Sequence, residues 1–204
     1  MVLWVLMARR SDHSRDELHE LILSTAAALV AERGLAGFSA REVARRIGYS
    51  IGTIHNVFGH ADHLITAINT RSFGLWAAHL RERLATAADG DRIDALVYAY
   101  FDFARTHPYL WTAIYDHRLP ADATLPQADQ QARGVLTEIV IAEVARALAR
   151  PVDEAIGAFA RSLIAIVHGH CAFAVSGAWA LMGEASPEAA ALARVREALA
   201  AHTA

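Results

Sequence analysis

The stretch FSAREVARRIGYSIGTIHNVFGHADHL, Phe38 to Leu64, restricts the fold of this chain more than any other. Ser39 stands three residues before Glu42, the spacing at which a serine hydroxyl caps a helix N-terminus and a glutamate can answer it. Val43, Ala44 and Ile47 follow on one helical face, and Gly48 supplies a stop. Ser50 then offers a second cap, and a very short helix over Ile51 to Phe58 ends at Gly59. Two short helices joined by a glycine-containing turn make a helix-turn-helix, whose second helix can enter the major groove of DNA. A capped helix pair alone occurs in many proteins, and both serines are caps whatever else they do.

The flanking sequence continues the helical pattern. Ser14-Arg15-Asp16-Glu17 matches a capping box, and Leu18, Leu21, Ile22, Thr25, Ala26 and Leu29 recur at helical spacing up to Gly34. A fourth helix is expected from about 61 to 87, a loop over 88–91, and a helix capped by Asp91 with Ile93, Leu96, Val97, Tyr100, Phe101 and Ala104 on one face. His107-Pro108 breaks that run, because the residue before proline is driven out of the α region. After a short helix through Tyr115, DHRLPADATLPQ is the longest irregular segment, and three more helices are expected over 126–149, 153–182 and 187–202. Apolar residues make up 54% of the 204, and strand-like alternation is scarce, so the fold class is all-α. The expected division is an N-terminal extension over 1–13, a helix-turn-helix domain over 14–60 and a larger helical domain over 61–204.

Charge does not announce a nucleic-acid partner: the net charge is −3. Residues 1–71 carry eight arginines against seven acids, and residues 72–204 eleven against fifteen, a mild bias only. All 19 basic residues are arginine, which reads as codon bias more readily than as selection for phosphate contacts. The single cysteine, Cys171, rules out an internal disulfide framework and fits a reducing, cytoplasmic setting. The leading MVLWVLM is too short to cross a bilayer and lacks the flanks of a secretory signal; Met7 is an alternative start. Residues 155–183 come nearest to a membrane span but contain Arg161, His168 and His170, so no membrane partner is expected.

The second helix of the pair carries the chemistry that DNA requires. Ser39 and Ser50 sit at helix N-termini, where free N–H groups suit a phosphate oxygen, and Arg41 adds a guanidinium one turn in. Thr53 and Asn56 are three apart on the short helix; asparagine can bond adenine bidentately and a threonine methyl can touch thymine's. Arg9, Arg10 and Arg15 could form a basic arm or an ordinary solvated tail, and Arg46 could face DNA or cover the end of its helix.

From Leu29 to Leu64 the run ALVAERGLAGFSAREVARRIGYSIGTIHNVFGHADHL resembles the TetR family of transcriptional regulators. The matched positions are Gly34, Phe38, Ser39, Ala44, Gly48, Ser50, Gly52, Thr53, Phe58 and Leu64. The resemblance implies a sequence-specific regulator of double-stranded operator DNA, most often a repressor. It also implies a homodimer released by a small-molecule effector. Tyr49, Thr53 and Asn56 would read bases, and Ser39, Arg41, Ser50 and His55 would hold the backbone. Two positions depart from the family pattern: His55 replaces a usual tyrosine and Ala61 a common lysine, both of which grip phosphate. These departures make pH-dependent affinity an expectation and keep open a helical adaptor that has lost DNA binding.

For the larger domain, Ile156, Phe159, Leu163 and Val167 recur at helical spacing, as do Leu192, Val195 and Leu199. Two such helices per subunit could pair across a two-fold axis, and a core within one chain explains the pattern equally well. Tyr100, Phe103, His107, Trp111, Tyr115 and His168 combine apolar walls with polar tips, the composition of a ligand pocket, and core packing explains them too. VHGHCAF at 167–173 resembles the WHG-type C-terminal domain of some TetR-like regulators. His168, His170 and Cys171 point to different sides of a helix, so no metal and no cofactor is expected. An enzyme is not expected either, because Cys171 in an apolar helix lacks an activating base.

Overall fold

A computed structural model describes residues 13–118 and 124–203. The expected N-terminal extension, with Arg9 and Arg10, lies almost wholly outside the described residues, as does part of the irregular segment after Asp116.

The described residues form ten α-helices and no strand: α1 (Arg15–Arg33), α2 (Ala40–Ile47), α3 (Ile51–Phe58), α4 (Ala61–Thr86), α5 (Arg92–Thr106), α6 (Pro108–Asp116), α7 (Gln127–Ala147), α8 (Glu154–Val175), α9 (Ala178–Leu181) and α10 (Pro187–Thr203). The capping box of α1 is complete: the Glu17 N–H donates to Ser14 Oγ and the Ser14 N–H to Glu17 Oε2, at 3.2 and 2.7 Å. That of α2 is half made. The Glu42 N–H donates to Ser39 Oγ at 3.4 Å, but the Glu42 carboxylate turns to Arg45 and Arg46 instead of reaching back. Two guanidinium groups outcompete one backbone N–H for the same oxygens. Asp91 stands at the start of α5 without a side-chain capping bond, and the expected loop before it contains a 3-10 turn over Asp89–Asp91.

One long helix was expected over 153–182; the structure breaks it. Gly177 adopts a left-handed φ of 77°, ends α8 and starts the one-turn α9. An apolar run with a glycine inside reads as continuous, whereas here that glycine is the helix stop.

Two hydrophobic cores divide the chain. In the first, Ile22, Ala26, Leu29 and Val30 of α1 meet Val43 and Ala44 of α2, Ile54 and Phe58 of α3, and Leu64 and Ile68 of α4. Leu110 and Ala113 of α6 join the same core, so a body helix is wedged into the N-terminal unit. In the second, Trp76, Ala77, Leu80 and Leu84 of α4 pack with α5, α7, α8 and α10. α4 therefore runs through both cores, and the N-terminal core extends beyond the expected domain limit at residue 60.

Three contacts tie these parts together. The Asn69 Nδ2 donates to the Ala113 carbonyl at 3.0 Å, joining α4 to α6 in a buried seam. Arg92 holds Glu143 with Nε and Nη2, each at 2.6 Å, joining α5 to α7. Gly34, with φ of 68°, lets the Tyr109 ring of α6 press onto the end of α1; a Cβ there would lie 3.1 Å from that ring.

Candidate nucleic-acid interface

The surface of α3 follows from which residues it buries. Ile54 and Phe58, one turn apart, are 2% and 9% exposed and anchor the helix to the N-terminal core. His55 and Asn56 are consequently exposed, and Thr53 is half-buried. Gly48, in the left-handed conformation with φ of 74°, makes the tight turn that brings α2 beside α3.

Ser39, Arg41 and Tyr49 line one shallow cleft between α2 and α3, together with Glu42, Arg45 and Ile51. Arg41 is exposed and makes no ion pair among the described residues, so its guanidinium is free for an anion. The Thr53 N–H donates to Ser50 Oγ at 3.3 Å, and the two hydroxyls are 3.2 Å apart. Thr53 thus commits its hydroxyl to the cap. His13, just before α1, has its Nδ1 2.9 Å from the Tyr49 hydroxyl, a contact that sequence spacing could not reveal. His55 Nδ1 bonds the Gly59 carbonyl at 2.9 Å. The Asn56 side chain is exposed and has no hydrogen bond among the described residues.

Arg46 is exposed but its guanidinium is committed to carboxylates. Its Nη1 and Nη2 donate to both carboxylate oxygens of Glu32 on α1, at 2.9 and 2.7 Å, and its Nε donates to Glu42 at 3.2 Å. Arg45 holds Glu42 with Nε and Nη2 at 2.8 and 2.7 Å. Hydrogen bonds from Arg45 and then Arg46 hold the Glu42 carboxyl down at about 2. This network fastens α2 to α1 and leaves Arg41 as the cation of α2 without a partner among the described residues.

In the body, the expected pocket residues separate. Tyr100, Trp111, Tyr115 and His168 form one cluster: Tyr100 Oη lies 3.1 Å from Tyr115 Oη and 2.9 Å from His168 Nδ1, with the Trp111 ring 5.3 Å from that of His168. Burial pushes Tyr100 far up from its ordinary value and His168 down, so both are neutral near pH 7. Phe103 instead stacks on Trp76 in the core at 5.0 Å, and His107 sits at the exposed corner between α5 and α6. A small cavity of about 40 Å³ lies beside the cluster, lined by apolar residues of α5, α7, α8 and α10 and by Tyr100.

The expected interface residues are mostly turned inward. Ile156, Leu163, Val167, Leu192 and Val195 are buried in the chain's own core, and Phe159 and Leu199 pack partly against it. The period of 3.6 marks an apolar face without saying which neighbour covers it, and here the neighbour is intramolecular. α8 has a second apolar side: Ala165, Ile166, Gly169 and Phe173 line an open groove with Trp179, Arg194 and Ala198, and Phe173 is 48% exposed. α8 has the length and composition of a membrane-spanning helix, with mean hydropathy 1.5, yet its inner face is committed to the core. Cys171 is buried with its thiol pushed up to about 12 by desolvation, an inert side chain. Among the described residues no three histidine, cysteine or acidic side chains gather into a metal site.

No curated protein sequence matches the chain. Among solved structures, a protein of unknown function from Rhodococcus sp. RHA1 superposes with a TM-score of 0.72 at 22% identity, covering 95% of this chain and 98% of its own. The TetR-family regulator PfmR from Thermus thermophilus gives 0.57 at 18% identity, over 87% and 96%. The multidrug binding protein EbrR, complexed with proflavin, gives 0.60 at 21% identity, over 89% and 99%. These likenesses establish the fold. Residues 22–68 match the family described as bacterial regulatory proteins, tetR family, and residues 93–199 match the tetracyclin repressor-like C-terminal domain. With an exposed helix-turn-helix and more than half its length matched by the second family, the chain belongs to the TetR family of DNA-binding transcriptional regulators.

Proposed function

We propose that this regulator is a homodimeric, cytoplasmic repressor that leaves its operator when a small molecule occupies the body. The observation that carries the reading is the free outer face of α3, where His55 and Asn56 stand exposed while Ile54 and Phe58 hold the opposite side. Asn56, the Thr53 methyl and Tyr49 read bases; Ser39, Arg41, Ser50 and His55 position the backbone.

A single eight-residue helix gives little affinity, so two copies are needed, and the open groove between the outer apolar side of α8 and the Arg194–Glu197 pair and Ala198 of α10 supplies a surface to join them. An effector would act through α4, which belongs to both cores, and through α6, wedged beside α1. The cavity of about 40 Å³ is far below the ~300–1,000 Å³ of a drug-sized site, so an effector must part the helices to enter. That parting is the differential between operator-bound and released states; a coupling of ~1–3 kcal/mol shifts operator affinity ~5–150-fold. EbrR, crystallised with imidazole and with proflavin, supports a small-molecule-binding body on this fold.

Gly169→Arg tests the dimer and its need for DNA together. Gly169 is exposed with open space where a Cβ would stand, so the lone chain tolerates the side chain. Sedimentation should show a folded monomer that has lost operator binding. A folded Gly169→Arg monomer with undiminished operator affinity would refute the reading.

A further inference from the structure

Arg133 of α7 is a cation of the body with no carboxylate partner among the described residues. Its side chain is half-buried, its Nε donates to Thr70 Oγ1 and its Nη2 to the Thr66 carbonyl, each at 2.9 Å, both on α4. The guanidinium carbon lies 5.6 Å from the centre of the Phe73 ring, again on α4. None of these partners is a carboxylate. Asp129, one turn earlier on α7, acts on Arg133 through space without an ion pair, and burial outweighs it, pulling the guanidinium below its ordinary value. Arg92 of α5, which packs against α7, shows the usual solution: it is matched oxygen for nitrogen by Glu143.

One buried donor on the same stretch of α4 is also unpaired. Trp76, one turn beyond Phe73, buries an indole N–H that finds no hydrogen-bond acceptor among the described residues. An indole nitrogen can only donate. The seam of α4 and α7 therefore holds the Phe73 ring and a fork-shaped cation that no carboxylate partners among the described residues, with a spare indole N–H one turn further along α4.

We propose that the effector is an aromatic carboxylate, whose anionic group takes the Arg133 guanidinium away from Thr66 and Thr70 of α4. A carboxylate accepts the planar fork in two parallel bonds, each about twice as strong as a bond to a neutral oxygen. Thr66 keeps a partner when Arg133 leaves, because Thr70 Oγ1 donates to its carbonyl at 3.0 Å. The contact broken is one between α7 and the stretch of α4 that links Ile68 in the N-terminal core to Trp76 in the body core. Effector charge thus reaches the DNA-binding unit by unfastening α4. The inference rests on the ligand-responsive reading above and adds the chemistry of the ligand.

The experiment measures quenching of intrinsic tryptophan fluorescence, and release of a selected operator, with benzoate, phenylacetate and 2-naphthoate, each beside its neutral amide. At least one acid should bind ten-fold or more tighter than its own amide and release the operator. Arg133→Gln should erase that preference while leaving amide binding in place and, having lost the tie to α4, should bind the operator more weakly even without ligand. Arg133→Lys, which keeps the charge but loses the fork, should retain part of the preference; it carries the test if Arg133→Gln does not fold. Absence of a preference for the acid in every pair, including absence of binding, overturns the proposal, as does a preference that survives in Arg133→Gln or in a folded Arg133→Lys at full strength. Operator release by neutral compounds alone would sink this inference and leave the ligand-responsive reading standing, whereas an operator complex indifferent to every small molecule would sink both.

Discussion

His55 commits its Nδ1–H to the carbonyl of Gly59, 2.9 Å away, at the end of the recognition helix. That bond leaves Nε2 as the ring atom that can meet the DNA backbone. His55→Ala should weaken operator binding ~2–5-fold in a fluorescence-anisotropy titration, the ~0.5–1 kcal/mol of a solvent-exposed contact; unchanged affinity in that variant removes His55 from the backbone contacts.

Glu42 makes a prediction about stability and pH. Its folded carboxyl titrates at about 2 against an ordinary 4.5, so it contributes stability that is complete above 4.5 and lost as pH falls toward 2. Thermal melts between pH 5 and pH 2 should show a steeper loss for the native chain than for Glu42→Gln. Parallel curves would mean that the Arg45 and Arg46 contacts do not persist in solution.

Asn69→Ala should cost about 0.5–1.5 kcal/mol in urea unfolding, because the Ala113 carbonyl loses its side-chain donor in the seam between α4 and α6 and keeps only the His117 N–H. A loss under about 0.5 kcal/mol, below the usual net worth of a hydrogen bond, would show that the seam is not closed by this contact.

Gly34→Ala and Gly48→Ala form a matched pair. Gly48, in the left-handed helical region with open space around it, should cost about 1 kcal/mol. Gly34 combines φ of 68° with ψ of 177°, a region reserved for glycine, and adds the Tyr109 ring, so its cost should be about 2–3 kcal/mol or more. Equal costs would contradict the contact between α6 and α1.

Local signals carried the N-terminal unit. Ser14, Ser39 and Ser50 cap the helices that their spacing announced, because a cap and its helix lie within four residues of each other. The helix break at Gly177 and the inward turn of Leu163, Val167 and Val195 were not legible. An apolar period reports that a face is covered and is silent on whether the cover is α5, α10 or another chain. Arg46 was ambiguous for the same reason, since its partner Glu32 lies 14 residues away on another helix. The meeting of Tyr100, Tyr115 and His168 was expected as a pocket and is a hydrogen-bonded cluster beside a smaller cavity, while Arg133 carried no sequence signal at all.

The account turns on Asn56 reading a base from an open face, twice over. Selecting bound duplexes from a random pool, with the native protein and with Asn56→Ala, measures this directly. The native protein should enrich a pseudo-palindrome whose half-sites lie about one helical turn or a multiple apart, and Asn56→Ala should lose preference at one base pair in each half. No enriched sequence, or base preferences unchanged by the substitution, would contradict it.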